Sequence, residues 1–203
     1  GEIFAAGKQN DVATMTGANA DEYGASPRPP PTLASLAAQA KQRYADNAAA
    51  FLALYPARTD DEAKVAANAS ARDIARTSMF LWALDRAKTA KTPAFTYYWT
   101  HALPGPDAGQ YGAFHTSEVP YLLNTLSMSP RPFTAVDHRI ADLFSTYIVN
   151  FATTGDPNGG GLPRWDAANA ASPATFEIGD KAGRLPLTVS PEALAFIRTS
   201  LSR

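Results

Sequence analysis

No cysteine occurs among the 203 residues, which removes disulfides, thiolate metal ligands and cysteine nucleophiles together. It leaves the compartment open, because proteins of oxidising compartments can also do without cysteine. No run of 18 or more apolar residues exists, so no stretch reads as a membrane-spanning helix. Residues 1–20 carry no basic-then-apolar export pattern, and Gly1–Lys8 reads like the interior of a longer polypeptide, so any leader is expected in a preceding part. An excess of charge of one sign is missing too: 18 Lys and Arg face 19 Asp and Glu, a formal net charge of −1. Basic residues do not cluster among aromatics, and a nucleic-acid partner is not expected. Histidine is scarce, at His101, His115 and His138, and none of the twelve serines stands in a Gly-x-Ser-x-Gly context.

What is present is an ordinary globular composition, 45% apolar, enough for a sizeable core. The run Val12–Gly17, flanked by Asn10-Asp11 and a polar loop from Gly17 to Gly24, reads as a core strand over 11–17. Asp21 and Glu22 therefore stand just past a strand's carboxyl end, where open α/β sheets gather their chemistry. Pro29-Pro30-Pro31 interrupts regular structure, and an alanine-rich block over 32–88 then shows helical spacing. Asp46 and Thr59 are its internal start signals, with Glu62 placed to complete a capping box behind Thr59. This block carries no cluster of reactive side chains and reads as a helical insertion between core strands.

Ala94–Thr100 is aromatic and β-branched, a second core strand, with His101 at its end. Gly112-Ala113-Phe114-His115-Thr116-Ser117-Glu118 follows, placing a histidine in a glycine-preceded loop with a carboxylate three residues on. Thr134 and Asp137 open a helix whose stripe runs through Val136, Ile140, Leu143, Phe144, Tyr147, Ile148 and Phe151, and Gly155 ends it. His138 lies off that stripe and reads as solvated. Gly159-Gly160-Gly161 lacks the preceding strand and following helix of a phosphate loop. Two short strands, 174–178 and 185–189, and a helix from Ser190-Pro191 complete the chain.

A histidine that deprotonates a serine must be held in one tautomer, and a carboxylate partner does this. Glu22 and His115, one after each strand, are the natural candidates, and their order is the last two thirds of the Ser, Asp/Glu, His order of α/β-hydrolase folds.

Three segments carry a resemblance. Thr16-Gly17-Ala18-Asn19-Ala20-Asp21-Glu22-Tyr23-Gly24 resembles the acid-bearing segment of type-B carboxylesterases, the family that includes para-nitrobenzyl esterases and cholinesterases. Gly112–Glu118 looks like their histidine loop, and Asn150–Asn158 with Leu162-Pro163-Arg164-Trp165 is similar to a further signature near the family's carboxyl end. The resemblance implies an α/β fold, namely the C-terminal part of an α/β-hydrolase with late sheet strands, a large helical insertion and a C-terminal helix, incomplete without its N-terminal half. One such region would fill 1–203. It implies Glu22 as triad acid with Asp21 as a neighbour, His115 as general base and acid, and Glu118 as supporting carboxylate, with His101 outside the motif. It further implies a small carboxylic ester as substrate and no cofactor or metal.

The nucleophile elbow and the glycine-rich oxyanion loop are the departures, so the chain alone is expected to be inactive. The expected partners are the missing half or another copy of the chain. The alternative function is a non-catalytic, cholinesterase-like binding or adhesion module.

Overall fold

The structure, a computed structural model, describes residues 2–26 and 28–201. Elements follow in the order α1 (Glu2–Ala5), β1 (Thr14–Asn19), α2 (Leu33–Tyr44), α3 (Ala48–Leu54), α4 (Asp60–Ala87), β2 (Ala94–Trp99), α5 (Ala108–Tyr111), α6 (Val119–Leu122), α7 (Ala135–Thr154), β3 (Thr175–Ile178), β4 (Ala182–Leu185) and α8 (Pro191–Leu201). They form two compact units, one of residues up to 25 with 79–186, the other of 26–78 with 187 onward. The fold is α/β. The first strand, expected at 11–17, is displaced to 14–19.

The first unit holds a four-stranded mixed sheet in the order β1-β2-β3-β4. β1 and β2 are parallel, from Thr14 opposite Ala94 to Asn19 opposite Trp99. β3 adds in parallel beyond β2, with Tyr97 opposite Phe176, so β2 is an interior strand. β4 returns antiparallel to β3. Parallel pairing puts the carboxyl ends of β1 and β2 on one edge of the sheet, and their register brings Asn19 and Trp99, the last residue of each, side by side, so the following loops meet.

Aromatic side chains cement this sheet to α7. Trp99, Phe144, Tyr147 and Ile178 are fully buried, and Trp165 stacks on Phe176 with ring centroids 4.9 Å apart. Phe144 and Tyr147 of α7 meet Tyr97 at 5.3 Å and Phe176 at 5.4 Å. Each such side chain contributes roughly 1.5–3 kcal/mol through burial. α7 begins as its sequence predicts: Thr134 and Asp137 form a capping box, and Gly155 closes the helix by donating its N–H to the Phe151 carbonyl at 2.8 Å. Val136, placed on the apolar stripe by its spacing, is exposed, whereas His138 is exposed as expected.

Two glycine positions set close approaches. Tyr97 lies across Gly17, where a Cβ would stand 2.2 Å from the ring. Gly112 has φ 58°, and a Cβ there would stand 2.3 Å from the Asp21 carboxylate.

The second unit is helical. Leu36, Ala40, Tyr44, Phe51, Tyr55, Ala63, Ala66 and Ala193 make its core, with Tyr44 stacked on Phe51 at 4.7 Å. Asp46 does not cap a helix: it sits inside a single 3-10 turn, Ala45–Asn47, ahead of α3. Thr59 does cap, its hydroxyl accepting from the Glu62 N–H at 3.2 Å, while Glu62 reaches the Arg58 N–H at 2.6 Å.

The alanine-rich block is not devoid of polar machinery. Fully buried Asp73 pairs with Arg76 and accepts from the Tyr55 hydroxyl at 2.8 Å and the Val189 N–H at 2.9 Å. Burial, and then the bond to Asp73, pushes the Tyr55 phenol well above its ordinary range. This network also corrects the last expected strand, 185–189. The Leu187 carbonyl and the Val189 N–H are spent on Arg76 and Asp73, so this backbone joins no sheet, and the strand falls earlier, at Ala182–Leu185.

Candidate active site

The loops after β1 and β2 are zipped together by backbone. Asp21 donates its N–H to the Ala113 carbonyl at 3.0 Å, and His115 donates its own to the Glu22 carbonyl at 3.3 Å. The Ala113 N–H reaches back to Asp21 Oδ2 at 3.1 Å. Asp21 thus acts on backbone, gripping the loop that carries the histidine across the bare Gly112.

On this frame the Glu22 carboxylate meets the imidazole: Glu22 Oε2 lies 2.8 Å from His115 Nδ1. A carboxylate only accepts, so Nδ1 donates, and in the neutral imidazole Nε2 keeps its lone pair. The His115 side chain is 76% exposed against 32% for Glu22, so the ring presents its free edge outward while its acid is sheltered. The other oxygen, Glu22 Oε1, accepts from the Asn19 N–H at 2.8 Å, which fixes the carboxylate's rotation. Trp99, the last residue of β2, donates through Nε1 to fully buried Ser117 at 3.0 Å, tying the far side of the histidine loop to the sheet.

Glu118 points to the same strand end. Its Oε2 accepts from the Asn19 side-chain amide, which also donates to the Phe114 carbonyl at 2.7 Å. Burial, then the negative charges of Glu118 and Glu22, pushes the nearby Tyr97 phenol up to about 12, so it stays a neutral hydroxyl beside two carboxylates.

His101 is held elsewhere. Its Nδ1 lies 2.6 Å from Asp180 and its Nε2 3.0 Å from Asp137, which also accepts from the Tyr121 hydroxyl at 2.6 Å. Burial works to raise the Asp137 carboxyl, yet hydrogen bonds from Thr134, Tyr121 and His101 outweigh it and hold that group far below the ordinary carboxylate range. The His101 ring has both nitrogens committed and no edge left for a reacting group. It pins the β3–β4 turn to the start of α7. Asn19 is the residue that sequence reasoning passed over. The available signal was an asparagine three residues before the acid, in a segment whose sequence reads as loop.

The model of the carboxylesterase family matches residues 2–197. The chain belongs to the carboxylesterase family. Among curated proteins, this carboxylesterase-family chain is 27% identical over 175 residues to a fumonisin B1 esterase of Sphingopyxis macrogoltabida, a match covering 81% of the chain and 32% of that protein. Its fold is similar to the crystal structure of EstA from Aspergillus niger, with a TM-score of 0.70 at 17% identity, covering 99% of this chain and 41% of that one. The chain therefore spans well under half the length of either relative. Among the described residues, no helix is long and apolar enough to cross a membrane.

Proposed function

We propose that this carboxylesterase-family chain contributes the acid and the base of a serine carboxylic-ester hydrolase, and that the serine and the oxyanion donors come from polypeptide outside these residues. The observation that carries this is the 2.8 Å contact between Glu22 Oε2 and His115 Nδ1, which in the neutral imidazole puts the proton on Nδ1 and leaves the Nε2 lone pair on the exposed edge of the ring. In the proposed cycle Nε2 takes the serine proton as the hydroxyl attacks the ester carbonyl. The resulting imidazolium, stabilised by Glu22, returns that proton to the leaving alcohol, and the acyl-enzyme remains. The same nitrogen then takes a proton from water as the water attacks the acyl carbonyl, and returns it to the departing serine oxygen, which frees the acid and restores the serine hydroxyl. The name of the Sphingopyxis relative and the family itself support ester bonds as the substrate class. They carry no particular acyl or alcohol group to this chain.

A nitrophenyl-ester assay tests the proposal in two settings. The 203-residue chain alone is expected to show no turnover above buffer. In a longer polypeptide that joins these residues to an upstream Gly-x-Ser-x-Gly segment, His115→Ala and Glu22→Ala are each expected to lower kcat by about 10⁴. Activity of the chain alone, blocked by a serine-directed inhibitor, would put the nucleophile inside it and overturn the proposal. A longer polypeptide that binds esters without hydrolysing them would instead favour the non-catalytic binding module.

A further inference from the structure

We propose that Asn19 is the positioning residue of the Glu22–His115 pair, holding acid, base and Glu118 in one frame through its amide donors; this rests on the pair being the proton-handling couple proposed above. Asn19 is the last residue of β1 and only 4% exposed, so its donors are withdrawn from water and must be used inside the protein. All three are used. The backbone N–H holds Glu22 Oε1 at 2.8 Å, which leaves Oε2 to face His115. The side-chain amide nitrogen has two N–H bonds, one going to the Phe114 carbonyl at 2.7 Å and the other to Glu118 Oε2.

The Phe114 carbonyl belongs to the peptide group that leads into His115. The amide therefore anchors the backbone that carries the base, while the same residue's backbone anchors the acid. A strand end is a suitable place for such an anchor, because the sheet register opposite Trp99 fixes it from the other side.

No other side chain of this size does the same. Aspartate has the shape but no donor, and it would set a third carboxylate against Glu22 and Glu118. Serine offers one donor where two are used, and alanine offers none. Loss of the amide removes the anchor at the Phe114 carbonyl, next to the base, and the donor to the Glu118 carboxylate together. The imidazole then exchanges its bond to Glu22 for water, and the proton redistributes between Nδ1 and Nε2.

The test is the tautomer of His115 in the full 203-residue chain, read from ring ¹⁵N shifts at a pH where the imidazole is neutral, a measurement that needs neither nucleophile nor turnover. Asn19→Ala and Asn19→Asp are expected to lower the ratio of Nδ1–H to Nε2–H forms by about fivefold, the factor that one hydrogen bond of ordinary net strength commands. Asn19→Ser, with one donor kept, is expected to fall between them and the unsubstituted chain, and it serves should the alanine variant not fold. Ile197→Val trims the core of the helical unit and is expected to leave the ratio unchanged, which separates positioning from general destabilisation.

Glu22→Ala separates the two proposals. If it collapses the ratio while every folded Asn19 variant keeps the original value, the pair stands and the positioning role is overturned. If Glu22→Ala itself leaves the ratio unchanged, the pair is not a hydrogen-bonded couple, and both proposals fall.

Discussion

Thr116 follows His115 with φ 70°, a left-handed conformation that a β-branched residue adopts at a cost of about 1–2 kcal/mol. Its side chain is exposed, and the loop closes around it through bonds between backbone groups, such as the Val119 N–H to the Thr116 carbonyl at 3.1 Å. Thr116→Gly relieves the strain but loosens the unfolded chain, and a net gain of up to about 1 kcal/mol is expected in urea unfolding. A loss of stability would mean that the threonine side chain itself holds the loop. Gly112→Ala runs the other way. A methyl group 2.3 Å from the Asp21 carboxylate, on a backbone at φ 58°, forces the two loops apart. A destabilisation of about 2 kcal/mol or more is expected, with loss of the His115 Nδ1–H signal that depends on Glu22.

The end of α4 shows how helices set strands. Buried Arg86 in its last turn donates to the Thr92 carbonyl at 2.7 Å and also to the Val12 carbonyl, bringing together the lead-ins of β1 and β2. Asp11 completes the clamp: hydrogen bonds from the Thr92 hydroxyl, then from the Lys91 and Thr92 N–H groups, lower its pKa from 3.8 to about 2. A lowered carboxylate pKa adds stability that is present above pH 4 and lost as pH falls toward 2. The urea midpoint of Asp11→Asn is therefore expected to lie below that of the unsubstituted chain at pH 5 and to converge with it near pH 2; a constant gap would remove Asp11 from the acid response.

α7 was legible because its apolar side chains repeat at helical spacing, and β2 because a run of aromatic and β-branched residues suits a strand buried on both faces, whereas β1 begins three residues later than expected. β4 was not legible, since Ala182-Gly183-Arg184-Leu185 has little strand character of its own and is a strand only because β3 lies beside it. Leu187–Val189 looked like a strand for the opposite reason: its apolar side chains suit a sheet, while its backbone is claimed by Asp73 and Arg76, a tertiary pairing that no local pattern announces. At the candidate site, Glu22 and His115 could be matched through motif order, but the hub at Asn19 depends on three contacts, two of them to residues 95 and 99 positions away.

Among the described residues the sheet has two edge strands, β1 and β4, and the β1 edge is the longer. β1 pairs with β2 alone, and its residues from Thr14 to Ala18 are half-buried, with Val12 before them exposed. An unpaired parallel edge invites another strand, and the 203-residue chain is expected to self-associate with rising concentration in sedimentation experiments. Thr16 alternates with Met15, which packs toward the aromatic core, so Thr16→Lys places a charge on the opposite face of the edge and is expected to shift the chain toward monomer. A monomer at every concentration would show that the edge is protected.

The pairing of Thr14 with Ala94 has a consequence in time. A ribosome adding roughly 5–20 residues per second needs roughly 4–16 seconds to add the 80 residues that take the chain from Thr14 to Ala94. During that interval β1 and the acid loop have emerged with no β2 to pair with, while α2, α3 and most of α4 can already form from local contacts. The Glu22 carboxylate is therefore made early and seated late, and the nascent chain is open to wrong strand partners for as long as its helical insertion takes to synthesise.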